Sequence, residues 1–101
     1  MKKVFICSPL RGNYQKNIKN AKKYSRMAVL EGYIPITPHI YLTQFLDDKV
    51  KKERKLALKI NLELMDLCDE MWVFGSEITD GMRKEINYWN DTHNILNNII
   101  Y

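Results

Sequence analysis

Cysteine is scarce: Cys7 and Cys68 are the two thiols in 101 residues, and neither belongs to a C-x-x-C pair or a Cys/His cluster. That spacing offers no disulfide framework and no zinc site, and with histidine also at two, no metal is expected. No apolar stretch nears the roughly 18 to 20 residues that cross a bilayer. The charged start Met1-Lys2-Lys3 runs into a strand-like segment and not a signal-peptide core, so the expectation is a cytoplasmic chain off the membrane. Acids are outnumbered, 12 against 16 lysines and arginines, for a net charge of +4. The bases are spread along the chain instead of clustered, which disfavours nucleic acid as a partner.

What is present is ordinary globular material, 46% hydrophobic and 28% charged. A chain this short buries only about 60 to 65% of the surface its unfolded form exposes, so one domain over residues 1–101 and association with further copies are expected. The four glycines and three prolines punctuate a regular pattern. A β-rich run ends at Pro9, and Asn13 is placed to cap a helix from Tyr14 to Leu30, stopped by Gly32. Its inner stripe is Tyr14, Ile18, Ala21, Ser25 and Ala28. A second strand, Ile34 to Thr37, precedes a long amphipathic helix from Asp47 or Asp48 to Cys68. Val50, Leu56, Ile60, Leu64 and Leu67 form its inner face, widened by Leu58, Leu62 and Met65. "MWVFG" reads as a third strand, Thr79 or Asp80 opens a third helix facing inward through Met82, Ile86 and Trp89, and "ILNNIIY" reads as a fourth strand. The basic run "KVKKERKLALK" is a solvated outer face.

Strand and helix in strict alternation imply an α/β fold, a small flavodoxin-like or Rossmann-like three-layer sandwich. Its parallel sheet would have about four strands in the order 2-1-3-4. Ligands of such sheets bind beyond the carboxyl ends of the strands where the order reverses. "SPLRGN" and "GSEITDG" would then face one cleft. Ser8, Arg11, Asn13 and the amides at the helix start suit an anion such as phosphate. His39, after the second strand, could hydrogen-bond to a base.

The carboxylates form the second signal. "ELMDLCDE" puts Asp66, Asp69 and Glu70 at a helix C-terminus, where the macrodipole disfavours negative charge. Glu85 lies one turn beyond Gly81 near the start of the third helix, where the dipole and amides favour its ionised form.

Taken together, "VFICSPLRG", the spacing Asn17-x-x-x-Ala21-x-x-Tyr24, "PITPHIYLTQFLDD", "CDEMWVFG" and "ITDGMRKEI" resemble the nucleoside 2-deoxyribosyltransferase-like superfamily, and within it a small branch found in phage and bacterial genomes. The resemblance implies a nucleoside or nucleotide ligand, no cofactor, and chemistry at the N-glycosidic bond, as transferase or N-glycosidase (a hydrolase). It implies Glu85 as the nucleophile and Asp69 as an assisting acid, with Asp80, His39 or a tyrosine as other proton donors. Ser8, Pro9, Arg11, Gly12, Asn17, His39, Gly75, Asp80, Gly81 and Met82 would bind substrate, Arg11 and Gly12 at its phosphate. Relatives complete their pockets with a neighbour's residues, which implies a homo-oligomer with "HIYLTQFLDD" at the contact. Lys84 departs from the pattern, since active transferases usually carry an aromatic or small residue before the nucleophile. The alternative is therefore a non-catalytic protein that binds or sequesters a nucleotide signal.

Overall fold

The computed structural model describes residues 1–93 and 98–100. Strand β1 (Lys3–Cys7) leads into helix α1 (Tyr14–Leu30), then β2 (Ile34–Ile36), a short helix α2 (Pro38–Tyr41) and a 3-10 turn at Leu42–Gln44. Helix α3 (Lys51–Asp66), strand β3 (Glu70–Val73), helix α4 (Asp80–Thr92) and strand β4 (Asn98–Ile100) follow. All pairings are parallel and the order is β2-β1-β3-β4. Of the segment expected as a fourth strand, residues 95–97 and 101 lie outside the described residues.

The reversal of strand order dictates the layers. From β1 the chain steps one way to β2 and then back past β1 to β3. Crossovers of a single hand must therefore place their helices on opposite faces. The alternation of β1 shows this directly: Val4 and Ile6 pack with Ala28 of α1, Trp72 and Phe74, while Phe5 and Cys7 pack with Met65 of α3 and Met82 and Trp89 of α4. Trp72 and Phe74 are core residues, as expected of a buried strand.

Helix α1 matches its pattern from cap to stop. The Asn13 side chain accepts a hydrogen bond from the Lys16 amide at 3.2 Å, and the buried Ala21 and Ala28 let the helix lie close to the sheet. Tyr24 stacks on Phe74 with ring centroids 4.1 Å apart, and Ser25 shares a 2.7 Å hydrogen bond with Thr37 beyond β2.

Helix α3 differs from expectation in two ways. It starts later, at Lys51, because α2 and the 3-10 turn occupy part of the connection after β2. It also meets the core mainly through its C-terminal turns. Met65 is buried and Ile60 and Leu64 are half-buried, whereas Val50, Leu56, Leu58, Leu62 and Leu67 are 37 to 65% exposed. The physical reason is that the first turns of α3 roof a cavity instead of lying on the sheet, and Leu58 and Leu62 are part of that roof.

The acids at the end of α3 find structural partners. Asp66 accepts from the Tyr88 hydroxyl at 2.8 Å, Asp69 from the Lys3 amide at 2.8 Å, and Glu70 from Tyr33 Oη and Trp72 Nε1 at 3.1 and 3.0 Å. These hydrogen bonds to charged groups offset the unfavourable dipole.

Gly75, two residues beyond β3, has φ +113°, and a Cβ there would lie 3.2 Å from Pro9 Cδ. The two cleft loops thus touch through a residue that must lack a side chain. Gly75→Ala should destabilise the fold by about 1 to 3 kcal/mol in urea titration. Gly81→Ala, whose added Cβ meets nothing closer than 4.0 Å inside a helix, should be neutral or stabilising.

Candidate functional site

The carboxyl ends of β1, β2 and β3 open onto one cavity of about 630 Å³. Ser8, Leu10 and Arg11 line it from the loop after β1, Pro38 and His39 from α2, and Thr79 to Met82, Lys84 and Glu85 from the start of α4. Glu53, Arg54, Ala57, Asn61 and Met65 enter from α3. This is the crevice where the strand order reverses.

Glu85 is the buried acid of the site, 9% exposed, in the second turn of α4. One face of that helix is apolar, with Met82 and Trp89 buried on either side of Glu85, so the carboxyl is carried inward with them. Asn61 donates from Nδ2 to Glu85 Oε2 at 3.3 Å. Burial pushes the Glu85 carboxyl up to about 7, partly offset by the nearby Cys7 thiol, whose own hydrogen bond goes to the Met82 carbonyl at 3.9 Å. The Cys7 thiol is itself raised well above the ordinary range by burial and by the Glu85 charge, so it stays protonated and inert. The expectation that the helix start would keep Glu85 ionised is thus corrected: desolvation outweighs the dipole.

Three buried polar atoms of cavity-lining residues have no hydrogen-bond partner: Ser8 Oγ, Asn61 Oδ1 and Glu85 Oε1. His39 Nε2 lies 3.1 Å from the Ser8 carbonyl, and burial lowers its pKa. The imidazole is therefore neutral at neutral pH. Its Nε2–H donates to that carbonyl, and Nδ1 carries no proton.

At the rim, Arg11 is tied down. Its Nε and Nη2 lie 3.0 and 2.9 Å from Asp48 Oδ2, which also accepts from the Tyr14 hydroxyl at 3.1 Å. This cluster straps the segment before α3 to the loop after β1. Asn17 braces the same loop, donating from Nδ2 to the carbonyls of Leu10 and Arg11 at 2.9 and 3.2 Å.

Of the residues expected at the site, the fold brings Ser8, Arg11, His39, Asp80, Gly81, Met82 and Glu85 to one cavity. Pro9, Gly12, Asn17 and Gly75 shape its loops without lining it. Gly12 supplies a positive φ of 101°, and Asn13 spends its side chain on capping α1. Asp69 stands at the opposite end of the sheet, beside Lys3 at the start of β1, and the acid assigned to Glu85 is not there. Its place beside Glu85 is taken by Asn61. Sequence reasoning missed Asn61, Tyr14, Asp48 and Arg54. The one available signal was that Ala57, Asn61 and Met65 follow each other at helical spacing along a face otherwise read as apolar.

The family model described as a domain of unknown function, DUF7768, matches residues 2–98. The chain belongs to that family. Among solved structures, this DUF7768 chain is similar to a 2-deoxyribosyltransferase from the psychrotolerant bacterium Bacillus psychrosaccharolyticus, with a TM-score of 0.67 and 18% identity. The match covers 84% of this chain and 62% of that one, so the DUF7768 chain spans less than two thirds of the enzyme. At this identity the likeness shows a shared α/β fold. No curated protein matches the sequence. Among the described residues no helix is long and apolar enough to cross a membrane, and no group of three or more His, Cys, Asp or Glu side chains is placed to hold a metal ion.

Glu85 links the site to stability. A carboxyl raised from 4.5 to about 7 binds its proton more tightly when folded, so its contribution is full below about pH 4.5 and is lost as pH rises through 7. Wild-type stability should fall by about 3 kcal/mol over that window, an order-of-magnitude figure. Glu85→Gln should flatten this slope, and equal pH dependence of the two proteins in chemical denaturation would rule out a buried, titrating Glu85.

Proposed function

We propose that this chain binds a nucleoside or nucleotide in the cavity and cleaves or transfers at its N-glycosidic bond, with Glu85 as nucleophile. The observation that carries this reading is a desolvated carboxyl in the crevice at the strand-order reversal, in a fold shared with a 2-deoxyribosyltransferase. Cleavage of such a bond passes through an oxocarbenium-like state, which a carboxylate stabilises or captures as an ester. A buried carboxylate is poorly solvated and so a better partner for developing positive charge than one in water. Its pKa near 7 leaves about half of it ionised at neutral pH, and the rate should rise with pH through that value.

Phosphate, in this reading, is held by Arg11 at the rim. The Asp48 carboxylate marks the position an anion would take on the guanidinium, and a nucleotide phosphate would displace it. The chain is further proposed to work as a homo-oligomer. Exposed leucines 56, 58 and 62 on the roof helix, and exposed Tyr41 and Phe45 in the connection that precedes it, favour a covering copy.

A second reading has one observation in its favour. Glu85 Oε1 is sealed from solvent and Oε2 is held by Asn61, an arrangement that suits a carboxyl kept as a hydrogen-bonding group in a non-catalytic nucleotide binder.

Glu85→Gln separates the two. For a nucleophile, the substitution should abolish release of free base, measured by chromatography with and without an acceptor base, and leave ligand affinity within a few-fold. For a binder, affinity should fall and wild type should release nothing across a nucleotide panel. Arg11→Ala should weaken a nucleotide at least tenfold more than the matching nucleoside, about 1.5 to 3 kcal/mol for a charged hydrogen bond. Asp48→Asn should strengthen the nucleotide. Equal losses for nucleotide and nucleoside would remove phosphate from Arg11.

A further inference from the structure

We infer that Arg54 is a specificity-determining residue of the cavity: with Arg11 it clamps the phosphate of a nucleoside 5′-monophosphate from two sides, and so selects the nucleotide over the nucleoside. The inference rests on the nucleotide reading above and adds to it the residue, on the roof helix, that completes the phosphate site.

The periodicity of α3 places Arg54. Arg54, Ala57, Leu58, Asn61, Leu62 and Met65 all line the cavity, and they recur at the i, i+3, i+4, i+7 spacing of one helical face. Asn61 meets the Glu85 carboxyl from that face. The rotation that carries Asn61 inward therefore carries Arg54 to the same side, two turns or about 10 Å nearer the start of the helix. That end is the rim, where Asp48, six residues before Arg54, is held by Arg11 and Tyr14. Electrostatics agree with this placement. Burial and the Asp48 carboxylate raise the pKa of the Tyr14 hydroxyl, and Arg11 and Arg54 both act to lower it. The two guanidinium groups thus act on one point from two walls, the loop after β1 and the roof helix.

Charge balance favours a second arginine there. A phosphate monoester carries about −1.5 to −2 at neutral pH. When it displaces Asp48 from Arg11, the aspartate remains in the neighbouring connection, and Glu53, which accepts the Asp47 amide at 3.0 Å, lines the same cavity. With Arg11 alone, the phosphate would meet one cation beside two carboxylates. Arg54 brings those four side chains to neutrality before the ligand enters. It is also free to engage: Arg11 spends its Nε and Nη2 on Asp48, whereas no carboxylate among the described residues lies within ion-pair distance of Arg54. Its planar fork of donors matches a phosphate better than a lysine would. Lys84, which also lines the cavity, comes from α4 next to Glu85 in sequence and serves as the control cation.

The test measures Kd by calorimetry on the whole chain for adenosine, guanosine, cytidine and uridine, their 2′-deoxy forms and the 5′-monophosphate of each, with kcat/KM wherever base is released. Arg54 is exposed, so Arg54→Ala should melt as wild type does. It should weaken the tightest monophosphate at least tenfold and its nucleoside less than about threefold, and Arg54→Lys should recover part of the loss. In an Arg11→Ala background the loss from Arg54→Ala should be at least threefold smaller, because the two residues share one phosphate. Equal weakening of nucleotide and nucleoside by Arg54→Ala, with or without a change of oligomeric state in sedimentation, puts Arg54 to work in the roof or against another copy and overturns the inference. A phosphate-selective loss from Arg11→Ala or Lys84→Ala with none from Arg54→Ala overturns it too, and leaves the nucleotide reading standing. A wild-type chain that binds no monophosphate more tightly than its nucleoside overturns both the inference and the phosphate reading at Arg11.

Discussion

Strand β1 sets the frame on which the molecule is hung. Val4, Phe5, Ile6 and Cys7 are all buried, and the strand is hydrogen-bonded on both edges, to β2 and β3, with Cys7 opposite Val73. A strand paired on both sides and covered on both faces has no tolerance for a register slip, because one residue of shift would exchange the sets facing α1 and α4. The same register ends β1 and β3 at the same level. That brings Pro9 against Gly75, puts the Ser8 carbonyl within reach of His39, and turns the Cys7 thiol toward α4, where it meets Glu85.

Much of this fold could be read from local chemistry. Asn13 as a cap, Gly32 as a stop and the small residues Ala21 and Ala28 specify α1 almost to the residue, because caps and periodicity act within a few positions. Helix α3 was harder. Its apolar periodicity is real, but periodicity reports which residues share a face, not what lies opposite that face. Leu58 and Leu62 repeat at helical spacing as a core stripe would, yet here they roof a cavity, and Leu56 is left exposed. The α2 segment was hidden for a related reason: Pro38 reads as a strand terminator and equally well as the first residue of a helix.

The site was legible where its residues lie next to loop punctuation, and obscure where they come from a helix interior. Ser8, Arg11, Gly81 and Glu85 follow strand ends, so topology alone predicts their convergence. Asn61 contributes through a single turn of α3, and nothing local distinguishes it from a solvated asparagine. Asp69 misled in the opposite sense. An acid at an unfavourable dipole end looks functional until the fold supplies the exposed amide of Lys3, a long-range partner 66 residues away in sequence.

The contrast between those two ends of the sheet is the strongest physical argument that the cavity is a working site. At the amino ends of the strands, Asp69 and Glu70 have their hydrogen bonds, as a chain shaped by stability alone would arrange. At the carboxyl ends, three of the four buried unpartnered side-chain atoms among the described residues, Ser8 Oγ, Asn61 Oδ1 and Glu85 Oε1, lie around one cavity, with Trp89 Nε1 the fourth and outside its lining, and Glu85 carries an ionisation penalty that a leucine or methionine would avoid. Unsatisfied polar groups scattered through a core are faults of packing. Gathered on the walls of one crevice, at the topological reversal, they concentrate their cost where a ligand can offset it, and local rules of stability are expected to fail at such places.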